Sequence, residues 1–259
     1  MNPLIAGPSG AVVPVYALLM ALGGFLLGAL TLRAGARCQA RRDHVLGLFL
    51  VAWLAGWAGA RVGFVIEHRQ YLDGSFGRWV LDPSFGGFSS YAGLLAGLAA
   101  GALYSRLTGL PLRRLADGAA LGLCLFGVAA RFGCFLAGCC HGRPTTLPWA
   151  VRAEPGSPAA RRFGTDAALH PTQLYEAAAI ALIGGLAARR LSAVPGGTFL
   201  RVAASYSVAR FLLDAFRGDA RGDGAVLSVA QWTSLAVLAV AAALWAGRSA
   251  WRLRGAGLR

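Results

Sequence analysis

The run from Val12 to Leu32, VVPVYALLMALGGFLLGALTL, holds no charged residue and is followed at once by Arg33, Arg37, Arg41 and Arg42. About twenty apolar residues is the length a helix needs to cross the hydrocarbon core of a bilayer. The pattern then returns: six further apolar segments read roughly as 45–66, 88–105, 115–137, 172–188, 197–214 and 226–247. A chain of 259 residues that is 56% hydrophobic and only 14% charged could not keep so many apolar faces out of water. The predicted fold is therefore all-α, a polytopic membrane protein with seven transmembrane helices. No linker or internal repeat divides it, so one membrane-embedded domain over 1–259 is expected, with outward loops near 67–87 and 138–170. The second of these is rich in proline and glycine, which suits a small extracytoplasmic cap rather than a helix.

All 25 basic residues are arginine, giving a net charge of +14. Arg33, Arg37, Arg41 and Arg42 follow the first segment, Arg106, Arg113 and Arg114 the third, Arg189 and Arg190 the fifth, and Arg248, Arg252, Arg254 and Arg259 the seventh. Acids on that side are only Asp43 and Asp117, whereas the opposite loops carry Glu67, Asp73, Asp82, Glu154, Asp166, Asp219 and Asp223. The positive-inside rule then puts the N-terminus outside and the C-terminus in the cytoplasm. Such arginines set topology and meet anionic lipid, so membrane lipid rather than nucleic acid is the expected partner. The first segment lacks the basic n-region of a cleaved signal and is expected to remain as a span.

Orientation gives each polar residue a depth. Tyr16, Tyr91, Glu176 and Gln231 enter their spans from outside, while Arg61, Arg131 and Arg210 lie near the outward ends of the second, fourth and sixth. Charges inside a membrane are costly and usually face a bundle interior or a wet cavity. A guanidinium grips phosphate oxygens with a planar fork, so three outer arginines suit a phospholipid headgroup. They suit internal pairing equally well: Arg61 with Glu67, Arg131 with Glu176, Arg210 with Asp214. Glycines at four-residue spacing, such as Gly59/Gly63 and Gly93/Gly97/Gly101, are read as helix contacts.

Two polar runs stand out. In Ala130–Arg143, ARFGCFLAGCCHGR, Arg131 is followed by Cys134, Cys139, Cys140 and His141. Structural zinc sites pair cysteines two to four residues apart and repeat the pair elsewhere; no second pair is present, so no metal and no other cofactor is expected. A disulfide from Cys134 to Cys139 or Cys140, or a reactive thiol beside His141, remain open. The other run is His170–Glu176, HPTQLYE, whose proline suits the first turn of a span.

HPTQLYE resembles the signature of the bacterial prolipoprotein diacylglyceryl transferases, and the likeness extends along the chain. PVYALLMALGGFLLG with Tyr16, GARVGFV with Arg61, GGFSSYAGLLAG, ARFG with Arg131, SYSVARFLLDAFR with Tyr206, Arg210 and Asp214, and LSVAQW follow in family order. The resemblance implies a bacterial inner-membrane enzyme that moves the diacylglyceryl group of phosphatidylglycerol to the lipobox cysteine behind a preprolipoprotein signal peptide. It implies catalytic roles for Arg131 and Arg210, and substrate-binding roles for Tyr16, Arg61, Gln173, Tyr175, Glu176 and Tyr206. Departures fall in two places. Cys134, Ala137 and Cys139 stand where family members carry asparagines and an acidic group, and Tyr91 replaces the third-span histidine proposed as base. His141 or His170 is then the candidate to activate the thiol, and Tyr91 stays among the catalytic candidates by its position although a tyrosine is a poor base at neutral pH. The alternative readings are a divergent transferase with a different acceptor, or a non-catalytic lipid-binding membrane protein.

Overall fold

A computed structural model describes residues 4–6, 12–69, 76–81, 87–218 and 226–256. Each of the apolar segments lies in a long helix: α1 (Val15–Arg37), α2 (Arg42–Glu67), α4 (Ser90–Thr108), α5 (Leu112–Leu136), α7 (Thr172–Arg189), α8 (Gly197–Leu213) and α9 (Val229–Ala256). Two shorter helices, α3 (Phe76–Leu81) and α6 (Pro158–Phe163), lie in the loops. Helices α1, α2 and α5 and the Val229–Gly247 part of α9 are long and apolar enough to cross a membrane, by length and composition. Phe25, Leu54, Leu95 and Leu182 stand exposed along the long helices, as expected of faces that meet lipid chains rather than water.

The expectation of a purely helical chain needs one amendment. Two short antiparallel hairpins are present, β1 (Leu4–Ala6) with β2 (Val12–Pro14) and β3 (Val151–Arg152) with β4 (Ala168–Leu169). The second lies in the loop over 138–170, where prolines and glycines break helical periodicity and short bridges satisfy the backbone instead. Residues 70–75 and 82–86 of the other long loop, with Asp73 and Asp82, lie outside the described residues, as do Asp219, Asp223 and Arg259.

The chain divides into two compact units, one of residues 31–115 and one of 1–30 with 116–259. In the first, α2 and α4 pack along the small residues the sequence singled out. A Cβ placed on Gly59 would come within 2.3 Å of the Ala96 Cβ, and one on Gly63 within 2.2 Å of the Ala92 Cβ, so no larger residue fits. Ala34, Val45, Leu48 and Leu115 form a buried cluster in the same unit. Helix α4 stops at Gly109, which takes the left-handed conformation and returns its N–H to the Ser105 carbonyl.

In the second unit α5 lies against α1 and α7, with Gly122 facing Leu27 and Gly127 facing Ile180, while α8 packs on α7 and α9. Asp117, one turn into α5, caps α8: its Oδ2 accepts the Gly196 N–H at 2.7 Å and its Oδ1 the Phe199 N–H at 2.9 Å. A carboxylate there satisfies orphan amides and opposes the positive end of the helix dipole. Sequence reading had noted Asp117 only as an acid among arginines. Within the cap of residues 138–170 the Gly142 N–H bonds the His170 carbonyl (3.1 Å), and the cap is tied to the segment after α8 by the Arg143 N–H on the Phe216 carbonyl (2.9 Å).

Candidate functional site

Helices α5, α7 and α8 bring Arg131, Glu176, Tyr206 and Arg210 together. Glu176 lies in the second turn of α7 and is 2% exposed, so its charge has to be answered locally. The Arg131 Nη2 lies 2.9 Å from its Oε1, the Tyr206 hydroxyl donates to the same oxygen at 2.6 Å, and the Arg210 Nε approaches it at 3.9 Å. Arg210 in turn donates from Nη1 to the Asp214 Oδ1 at 2.8 Å, one helical turn along. Both pairings foreseen as the structural alternative for these arginines are therefore present. The same bonds fix the guanidinium planes, and the Arg131 side chain keeps 19% of its surface open. An anion meeting these arginines would find them already oriented.

Arg61 belongs to the other unit and is described there. It donates to the carbonyls of Trp79 (2.7 Å), Val80 (3.1 Å) and Gly87 (3.3 Å), and its guanidinium lies over the Phe88 ring. Its charge thus meets carbonyls of α3 and of Gly87 at once. Glu67, the partner expected for it, accepts from the Ser89 hydroxyl at 2.6 Å. Tyr91 lies half-buried in the first turn of α4, in that same unit.

Next to Arg131 the chain leaves α5 and doubles back. Gly138 and Cys140 both adopt left-handed backbone, at φ 64° and 57°. The reversal returns the Cys139 N–H to the Cys134 carbonyl at 3.2 Å and sets the sulfurs of Cys134, Cys139 and Cys140 within 4.8 Å of one another. All three thiols are free. The HPTQLYE run holds the turn from above: Thr172 Oγ1 donates to the Cys140 carbonyl at 2.9 Å and Gln173 Nε2 to the Cys139 carbonyl at 2.7 Å. Gln173 thus touches backbone. Outside the span, the neighbouring sulfurs, then Arg217 and Arg131, hold the Cys140 thiol well below the usual range, while hydrogen bonding to Cys134 and Cys140 holds Cys139 well above it. Tyr16, near the start of α1, lies over Gly133, where a Cβ would come within 2.7 Å of its ring.

His141 and His170, the two base candidates, line one cavity of about 310 Å³ together with Gln173 and the cap. His141 is buried, its Nδ1 is 3.2 Å from the Gly142 carbonyl, and its ring stands edge-on to Phe163. His170 packs between the Tyr175 and Phe216 rings, with Nδ1 3.3 Å from the Tyr175 hydroxyl. Partial burial, then the charge of Arg143, lowers its pKa. The Tyr175 hydroxyl also accepts from the indole of Trp149 at 2.7 Å. Sequence reading missed Thr172, Trp149 and Arg217. Thr172 falls inside a run already recognised as dense in polar groups; the other two are isolated residues whose placement only the cap's folding decides.

The chain is similar to known proteins along most of its length. The family model for prolipoprotein diacylglyceryl transferase matches residues 5–247. The phosphatidylglycerol--prolipoprotein diacylglyceryl transferase of Gloeobacter violaceus is 34% identical over 254 residues, covering 94% of this chain and 92% of its own. That of Clostridium tetani is 28% identical over 238 residues, 91% of this chain and 93% of its own. A similarity that begins before α1 and ends in α9, and so takes in every helix contributing to the Glu176 cluster, means that the chain belongs to the prolipoprotein diacylglyceryl transferase family.

Proposed function

We propose that this chain transfers the diacylglyceryl group of phosphatidylglycerol to the lipobox cysteine thiol of a preprolipoprotein. The observation that carries the reading is the pair of guanidiniums, Arg131 and Arg210, set around one buried carboxylate in a chain of this family. The acceptor sulfur attacks the glycerol carbon that bears the phosphate. A C–S bond forms, the C–O bond breaks, and the pair of electrons leaves on glycerol phosphate. Arg131 and Arg210 stabilise the charge on that leaving group, where preorganised donors act most strongly. The thiol proton passes to a histidine, His141 or His170, both of which line the cap cavity. Tyr206 and Glu176 orient the arginines, Gln173 and Tyr175 shape the turn and the rim, and Tyr16, Arg61 and Tyr91 complete the walls of their own helices.

The chain works as a single domain in the bacterial inner membrane, crossing it seven times with the N-terminus outside and the cap extracytoplasmic. The asymmetry of its arginines supports that orientation. Complementation of a strain depleted of its own transferase, with mass analysis of a lipoprotein, is the test. A mass gain of one diacylglyceryl group on the lipobox cysteine is expected. Recovery of unmodified lipoprotein, from cells in which the chain is stably inserted, would leave the scaffold with a different acceptor or none.

A further inference from the structure

The three sulfurs beside Arg131 take no part in the transfer just described. Cysteines packed only as small apolar groups belong in helix interiors, as Cys124 does on α5. Cys134, Cys139 and Cys140 instead gather at a helix end, in a turn that needs a left-handed cysteine and whose carbonyls are pinned by Thr172 and Gln173. Left-handed backbone in a residue other than glycine, asparagine or aspartate is uncommon and persists where its surroundings enforce it. Here the outcome is that the three sulfur atoms converge.

We propose that Cys134, Cys139 and Cys140 form a three-sulfur site for a thiophilic closed-shell cation of the zinc(II) and copper(I) class. Metal–sulfur bonds of about 2.3 Å put the sulfurs of a three-coordinate ion about 4.0 Å apart. The sulfurs here all lie within 4.8 Å of one another, within about 1 Å of that spacing. Soft thiolates select this class over magnesium or calcium, which take oxygen. Binding is a proton exchange with no change of oxidation state: each ligating S–H releases its proton to solvent and gives its electron pair to the ion. Three thiolates around a divalent ion leave one negative charge. The common rule for such sites looks for cysteine pairs close in sequence; this turn gathers one residue from a helix and two from the loop after it.

The test uses the full chain, reduced and freed of reductant in detergent under anaerobic conditions. Cd²⁺ serves as the optical probe, through its sulfur-to-metal charge-transfer absorption, and Zn²⁺ and Cu(I) serve as competitors. The expected result is one Cd²⁺ per chain, displaced by either competitor, with three of the five thiols becoming unreactive to a thiol reagent. Cys139→Ser should weaken binding about 100-fold or more, while Cys38→Ser and Cys124→Ser leave it unchanged. Absence of stoichiometric binding to the wild-type chain, or protection of fewer than three thiols, overturns the proposal without relying on any variant. A disulfide among the three cysteines in protein alkylated directly in membranes overturns it as well.

Discussion

One carboxylate oxygen of Glu176 lies 2.9 Å from the Arg131 guanidinium, accepts from the Tyr206 hydroxyl at 2.6 Å, and has the Arg210 guanidinium 3.9 Å away. Removing it strands a buried guanidinium, so Glu176→Ala should destabilise the detergent-solubilised protein by about 3–5 kcal/mol in thermal or chemical unfolding, and Glu176→Gln by less. Equal stability of Glu176→Ala and the wild type would mean the arginines are held by something else. The two histidines are separable by variant. His141→Ala and His170→Ala should each be assayed for transfer and for lipid binding, the true base being the one whose loss abolishes transfer while binding survives; full activity in both sinks the assignment. His170 carries a pH signature too. Partial burial and Arg143 favour its neutral form, so the unfolded chain binds this proton more readily than the folded one. Stability from this group is therefore present above its ordinary range, about 6.5, and is lost as pH falls through that value toward the lower folded one. An NMR titration of the His170 ring should give a midpoint below 6.5, and a midpoint above it would contradict the packing described. At this scale sequence reading grouped Arg61, Arg131 and Arg210 by depth, and paired Arg131 with Glu176 and Arg210 with Asp214, without setting both of the last two arginines around one carboxylate. It did not see that Arg61 spends its N–H groups on carbonyls, since backbone acceptors leave no trace in a list of side chains.

Between helices, the contacts are set by small residues and by one acid. On α2, Gly63→Val would drive a side chain into Ala92 on α4, and the expected outcome is loss of folded protein from the membrane fraction, whereas Gly77→Ala on α3, with open space around it, should be neutral. Asp117→Ala removes both acceptors from the N-terminus of α8 and should cost about 1–2 kcal/mol, with Asp117→Asn recovering part of it. No measurable change on Asp117→Ala would show the cap to be incidental. The helices themselves were legible from apolar length alone, because in a bilayer every backbone group must be satisfied within the segment. The cap was legible only as a region. Its hairpin and turn depend on bonds from Gly142, Arg143 and Gly218 to residues far along the chain, and proline and glycine content says where a helix fails, not what replaces it.

For the molecule in its membrane, orientation is the property with the most direct test. Cys38 lies just past the end of α1, in the first arginine-rich turn. An impermeant thiol reagent should label it in inverted vesicles and not in intact spheroplasts, in a chain whose other cysteines are serine; the reverse labelling would overturn the predicted topology. That expectation rests on arginine asymmetry alone, since the rule acts on loops near span ends and needs no tertiary structure. The Trp149 indole, bonded to the Tyr175 hydroxyl, has a consequence for how the cap rides. Trp149 is exposed, as are Leu147 and Val151 beside it. Rings with an apolar body and a polar tip settle where headgroups meet hydrocarbon. In the orientation proposed above, this rim of exposed apolar side chains is what the cap would set against the bilayer surface, on the side from which a lipid-tethered substrate would approach.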